Sequence, residues 1–162
     1  MRSQALLDAM NEQIAHECFS AYSYLSLSAW CESVNLPGFA NWMRVQAREE
    51  IEHAMKFYHF IIDRGGRVRL AAIQQPPVDC DSPLDVFQKA LASEQRVTGQ
   101  IERLYALAVQ EQDFAGQAFL NWFVEEQVEE EKLVSQVIET LKLIGDDKPA
   151  LVMLDRELAQ RK

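Results

Sequence analysis

The sequence predicts an all-α protein: four long helices packed side by side as a bundle, followed by a short fifth helix. Three observations carry that prediction. Apolar residues recur every three or four positions through long stretches, which is the helical period. Chain breakers fall in only a few places, and the 162 residues include just 6 Gly and 5 Pro. A chain of this length has room for one domain with a substantial core, and residues 1–162 are expected to form that single unit.

The first helix takes Ser3 as N-cap and follows the stripe Leu6, Met10, Ile14, Ala21 and Leu25 to about Cys31. The second begins near Pro37, a residue favoured in a first helical turn, and runs through Phe39, Met43, Ala47, Ala54, Phe57 and Ile61 to Gly65 and Gly66. Asp81, Ser82 and Pro83 open the third, which continues through Phe87, Leu91, Val97, Ile101 and Leu104. The fourth starts around Asp113 and carries Leu120, Phe123, Val134, Val137 and Leu141 up to Gly145, a helix stop. After Asp147, Lys148 and Pro149 comes the fifth, an amphipathic segment from Leu151 to Leu158.

The long helices are about 27 to 31 residues each, or about 40 to 46 Å at 1.5 Å per residue. The first and second, and the third and fourth, have short joins and should form antiparallel hairpins. Between Gly65 and Ser82 the chain is long and contains Pro76 and Pro77. Such a segment can travel the length of a bundle and make the second and third helices parallel.

Charge narrows the function. With 25 Asp and Glu against 16 Lys and Arg, the formal net charge is -9, so the average surface repels a nucleic-acid backbone. No apolar run approaches the ~18 to 20 residues of a membrane span, and the N-terminal pattern is amphipathic, not a signal-peptide core. Cys18, Cys31 and Cys80 form no CxxC pair and suit reduced thiols in a cytoplasmic protein.

Each long helix carries one acid inside its apolar stripe: Glu17, Glu50, Glu94 and Glu130. Unpaired buried carboxylates are costly, so such a set persists only if something neutralises it. Glu17 to Glu50 is 33 residues, as is Glu94 to Gln127; Glu50 to His53 is three, as is Gln127 to Glu130. The two halves superpose with an offset of 77 that also carries Glu49 onto Glu126. Each half is thus a helical hairpin presenting one carboxylate from its first helix and an i, i+3 pair from its second, both members on one face. Several carboxylates and one imidazole converging in a bundle interior suit iron or manganese better than structural zinc.

From about Leu6 to Leu158 the sequence resembles the bacterial non-haem ferritins. Ferritin-like di-iron bundles supply a Glu from each of two helices and Glu-x-x-His from the other two. The first half matches fully, with Glu17 and then Glu50 and His53; the second departs, with Glu94 and then Gln127 and Glu130. Haem-containing relatives would carry Glu and His at those last two places and a Met where Ile51 stands, so no haem is expected. The Met residues read better as packing.

The resemblance implies that Glu17, Glu50 and His53 hold one iron and that Glu50, Glu94 and Glu130 hold a second, with Glu50 bridging. Gln127 would be a weak ligand or an orienting hydrogen-bond donor. Glu49, Glu126, Glu129 and Glu130 match an additional iron site beside the pair, Tyr24 matches a tyrosine close to it, and Trp122 stands nearby. His16 and His59 have no partner at the right spacing and read as ordinary polar positions.

The implied function is iron storage with ferroxidase activity. Dioxygen takes electrons from two Fe(II) ions at once, and Fe(III) accumulates as a hydrated oxide mineral inside a hollow homo-oligomeric shell of twenty-four subunits (a 24-mer). The fifth helix would line the fourfold axes of that shell, and Glu49, Glu126 and Glu129 would offer the ferric product a way out. Two other classes compete: a di-iron oxidase acting on an organic substrate, which needs a substrate channel, and a non-catalytic bundle acting as an interaction protein, whose core acids would pair with Lys or Arg. No Lys or Arg falls on the stripes of Glu17, Glu50 and Glu94.

Overall fold

The computed structural model describes residues 2–162. Its elements are α1 (Gln4–Ser33), α2 (Pro37–Asp63), α3 (Pro83–Gln110), α4 (Phe114–Ile144) and α5 (Lys148–Leu158), with no strand among the described residues. The expected bundle, crossover and fifth helix are all present. One boundary shifts: α5 begins at Lys148 and not at Leu151. Pro149 sits in its first turn, where a missing N–H costs nothing, and Asp147 Oδ1 accepts from the Ala150 N–H at 3.0 Å.

Side-chain caps start the helices as the sequence suggests. Ser3 Oγ accepts from the Leu6 N–H at 3.1 Å and Ser82 Oγ from the Asp85 N–H at 3.0 Å. Asp113 Oδ1 accepts from the Gly116 N–H at 2.8 Å, and both Asp113 oxygens take a bidentate pair from Arg64 at 2.9 and 3.0 Å. That pair ties the end of α2 to the start of α4.

The start of α2 is different. Its N-cap is Leu36, which has no side-chain acceptor. The cap comes instead from α5, where Asp155 Oδ1 accepts from the Phe39 N–H at 3.0 Å. The approach is so close that a Cβ on Gly38 would overlap the Asp155 carbonyl oxygen. Gly38→Ala is therefore expected to lift α5 off α2 and to cost about 2 kcal/mol by overpacking, although alanine is the better helix former; a lower urea midpoint checks this.

Helices α1 and α2 pack as one hairpin, α3 and α4 as the other, and α1 meets α3 across the bundle. Gln13 reaches Gln100 and Tyr24 reaches Glu94, so α1 and α3 run antiparallel, and α2 and α3 are parallel as the crossover requires. The crossover lies along α1: Asn11 clasps the Arg67 carbonyl (3.0 Å) and the Arg69 N–H (2.7 Å), and Ser26 Oγ donates to the Pro77 carbonyl at 2.7 Å.

The interior has two apolar cores. One gathers Tyr24, Leu27, Phe39, Trp42, Met43, Phe87, Val134 and Ile138; the other gathers Leu6, Met10, Ile14, Phe57, Ile61, Val97, Ile101, Leu120 and Phe123. Between them every long helix contributes buried polar residues to one layer: Glu17, Glu50, His53, Glu94, Gln127 and Glu130.

Candidate metal centre

The side chains of that layer are almost fully withdrawn from water, with Glu17, Glu50 and Glu94 at 0% exposure and His53 at 5%. Because i, i+3 residues share a helix face, α2 delivers Glu50 and His53 together. His53 Nδ1 lies 3.6 Å from Glu50 Oε2 and 4.0 Å from Glu17 Oε2. Both distances exceed hydrogen-bond length, and the three atoms Glu17 Oε2, Glu50 Oε2 and His53 Nδ1 are buried without a hydrogen-bond partner. Three orphaned polar atoms facing one point leave the desolvation cost of each uncompensated. A cation between them removes that cost.

Two groups of potential ligands share Glu50. Glu17, Glu50 and His53 bring one ligand atom each within 4.8 Å of one another, and so do Glu50, Glu94 and Glu130. These are the two ligand sets expected from the sequence. A third group joins His53, Glu126 and Glu130. The additional acids divide: Glu126 lies against the centre, Glu129 is exposed, and Glu49 is held by Arg161 Nη2 at 3.1 Å. His16 and His59 are both exposed and belong to none of these groups.

Tyr24 Oη donates to Glu94 Oε1 at 2.5 Å from full burial. Gln127 Nε2 donates to Glu94 Oε2 (3.2 Å), the Glu94 carbonyl (3.1 Å) and Thr98 Oγ1 (3.2 Å). Glu94 is thus oriented from two sides. Trp122 stands edge-on to His53, ring centroids 5.4 Å apart, with Lys56 Nζ 3.9 Å from its ring centroid.

Two glutamines completing the layer escape the spacing rule. Gln46 Nε2 donates to Glu50 Oε1 at 3.0 Å and to Glu130 Oε2 at 2.5 Å; Gln13 Nε2 donates to Glu17 Oε1 at 3.3 Å. A signal was present, since each glutamine precedes its glutamate by four and the two are 33 apart, the interval from Glu17 to Glu50.

Burial pushes the Glu17 carboxyl well above the ordinary range, and the Glu50 charge adds to it. Burial and the same charge raise Glu94 to about 8; burial and the Glu94 charge raise Glu130 to about 9. Glu50 moves the other way: burial alone would raise it, but the facing His53 and donors such as Gln46 outweigh burial and hold it low. Burial would likewise lower His53, and the Glu50 carboxylate overrides it upward. At pH 7 Glu94 and Glu130 therefore hold protons beside the Glu50 carboxylate, and the Glu17 carboxyl and the His53 imidazole are both shifted toward keeping theirs. Among the described residues no Lys or Arg ion pair reaches Glu17, Glu50, Glu94 or Glu130.

Loading cations must expel these protons. Tyr24→Phe should make that harder at one acid, because Glu94 Oε1 loses its phenol donor. We expect Zn(II) to bind about tenfold more weakly, with the pH midpoint of binding displaced upward, in calorimetric titrations.

Known proteins resemble this chain in sequence and in fold. The Ferritin-like domain family matches residues 7–144. The chain is 42% identical over 161 residues to a bacterial non-heme ferritin of Staphylococcus aureus (strain USA300), covering 99% of this chain and 97% of that protein. A bacterial non-heme ferritin of Staphylococcus saprophyticus is also 42% identical, with 99% and 96% covered. Among solved structures, an open-pore ferritin from Archaeoglobus fulgidus superposes with a TM-score of 0.98 at 48% identity, covering all of both chains.

Proposed function

The chain belongs to the ferritin family, and from that premise we propose that Glu17, Glu50, His53, Glu94 and Glu130 hold two Fe(II) ions bridged by Glu50. The protein is an iron-storage ferroxidase: it oxidises Fe(II) with dioxygen and retains the ferric product. The observation that carries the site assignment is the set of buried, unpartnered atoms Glu17 Oε2, Glu50 Oε2 and His53 Nδ1, together with the membership of Glu50 in both ligand groups. An interaction bundle would pair its core acids with Lys or Arg, and among the described residues none of these acids forms such an ion pair.

The chain's contribution is electrostatic and positional. As Fe(II) is bound, the protons held on the buried acids leave, Glu94 and Glu130 among them, and the pocket becomes more anionic. Anionic oxygen ligands favour Fe(III) over Fe(II) and so lower the barrier to electron loss. Placing both ions against Glu50 lets dioxygen accept one electron from each, giving two Fe(III) and a two-electron-reduced oxygen product without a free one-electron species. The second position draws only on Glu50, Glu94 and Glu130, all oxygen donors. It therefore lacks the imidazole anchor of the first, and its ferric product leaves more readily, past Glu126. Tyr24 and Gln127 orient Glu94 throughout.

Storage needs a container, and we infer a hollow shell of twenty-four copies. Supporting it are the family relationship and the exposed apolar residues Leu143, Val152 and Met153 on the end of α4 and on α5, a surface that assembly would cover. In this reading residues 1–162 work as one ferritin-like unit in the cytoplasm, in keeping with the free cysteines Cys18, Cys31 and Cys80; no described helix is long and apolar enough to cross a membrane. Ile51 stands where a haem-ligating Met would be, and no haem is included. Anaerobic Fe(II) loading followed by oxygen, with ferric absorbance and particle mass recorded together, tests the whole: rapid oxidation and retained iron in a large particle are expected. Oxidation no faster than in buffer would overturn it.

A further inference from the structure

Arg161, three residues beyond α5, is built into the edge of the metal centre. Its Nη2 donates to Gln46 Oε1 at 2.9 Å and to Glu49 Oε2 at 3.1 Å. Nη1 donates to the Trp42 carbonyl at 3.3 Å, and the guanidinium lies over the Trp42 ring, 4.2 Å from its centroid. The backbone is fastened too, because Asn41 Nδ2 donates to the Arg161 carbonyl at 2.9 Å. Only 17% of the arginine side chain is exposed.

These bonds have two effects. With Gln46 Oε1 taken by Arg161, the amide must turn its N–H groups toward Glu50 and Glu130, as it does. With Glu49 Oε2 taken as well, the acid that the 77-residue offset pairs with Glu126 already has a cation. His53, Glu126 and Glu130 can gather around a metal, with His53 and Glu130 buried. We propose that Arg161 is the resident counter-ion of the third cation position, so that a metal ion reaches Glu49 only by displacing the guanidinium.

Competition of this kind is reciprocal. The metal loosens the segment after α5 to the degree that the segment expels the metal, so Arg161 keeps the third position weak and biases it toward release. Removing Arg161 frees an acceptor and deletes a positive charge, and both changes favour a metal cation. The inference rests on the two-iron reading above, and the test separates them.

Metal-free assembled protein is titrated calorimetrically with Zn(II), a redox-inert dication, for wild type, Arg161→Ala and Arg161→Lys. Two tight equivalents per subunit are expected in wild type. A weaker third equivalent should tighten about tenfold in Arg161→Ala and less in Arg161→Lys, which keeps the charge but loses the fork that spans Gln46 and Glu49. In wild type, amide hydrogen exchange at residues 159–161 should accelerate with the third equivalent and not with the first two. A third equivalent no tighter in Arg161→Ala, or unchanged exchange in wild type as it binds, overturns the role of Arg161. Failure of wild type to take up two tight equivalents overturns the two-iron reading instead.

Discussion

Glu50→Gln is expected to slow the fast oxidation of Fe(II) about 100-fold, equivalent to about 2.7 kcal/mol at 1.36 kcal/mol per decade, while leaving the fold intact. Glu50 is the one residue shared by both ligand groups. The substitution keeps its volume and its place in α2 but removes the charge from both metal positions at once. If Glu50 bridges two ions as proposed, two electrons can then no longer pass to dioxygen from a closely held pair, and only slow one-electron oxidation remains. Stability should barely change. Glu50 Oε2 and His53 Nδ1 stand 3.6 Å apart with no hydrogen bond between them, so the neutral amide breaks none there, and it relieves a buried charge that bears unfavourably on Glu17, Glu94 and Glu130. Melting temperature is expected within about 3 °C of wild type, since about 1 kcal/mol moves a chain of this size by about 2 to 4 °C. Stopped-flow absorbance and calorimetry on the same preparation check both halves; unfolding of Glu50→Gln would mean that the carboxylate is structural.

A second large effect is the dependence of stability on metal and pH. Glu17, Glu94 and Glu130 hold protons in the folded state at pH values where the unfolded chain has released them. Their stabilisation is complete below the ordinary carboxylate range and is lost as pH climbs through about 8 for Glu94 and about 9 for Glu130. His53, also raised, acts in the same sense above its ordinary 6.5. Glu50, held low, contributes stability that disappears only as pH falls into the acid range. Metal-free protein should therefore melt lower at pH 9 than at pH 6. With Zn(II) the slope reverses, because cations bind the deprotonated ligands. Two cations, each at about 100 times its Kd, add about 5 kcal/mol, or about 10 to 20 °C by the same conversion. Scanning calorimetry with and without Zn(II) across this pH span reads both slopes. A metal-free melting temperature that rises toward pH 9 would contradict the charge assignment.

Most of this architecture was legible because its signals are local. Ser3, Ser82, Asp113 and Asp147 cap helices through bonds within one turn, and the 33-residue and three-residue intervals follow from helices of matched length meeting at one layer. What the sequence hid depends on contacts between distant segments. Leu36 cannot cap α2, and nothing near it announces that Asp155 does so from 116 residues away. Arg161 looks like an ordinary terminal charge until α5 folds back against Trp42 and Gln46. Gln46 and Gln13 were visible as residues but carried no charge to mark them. Glu49 and Glu129 share the repeat with Glu126, yet spacing alone does not reveal that Arg161 claims Glu49 while Glu129 points to solvent.

The central claim is that Glu50 bridges two metal positions. The direct measurement is anomalous diffraction at the iron edge from crystals loaded with Fe(II) under anaerobic conditions. Two peaks per subunit are predicted, one among Glu17, Glu50 and His53 and one among Glu50, Glu94 and Glu130, with a Glu50 oxygen on each. A single peak, or iron only at the surface acids with the buried layer unchanged, would contradict it.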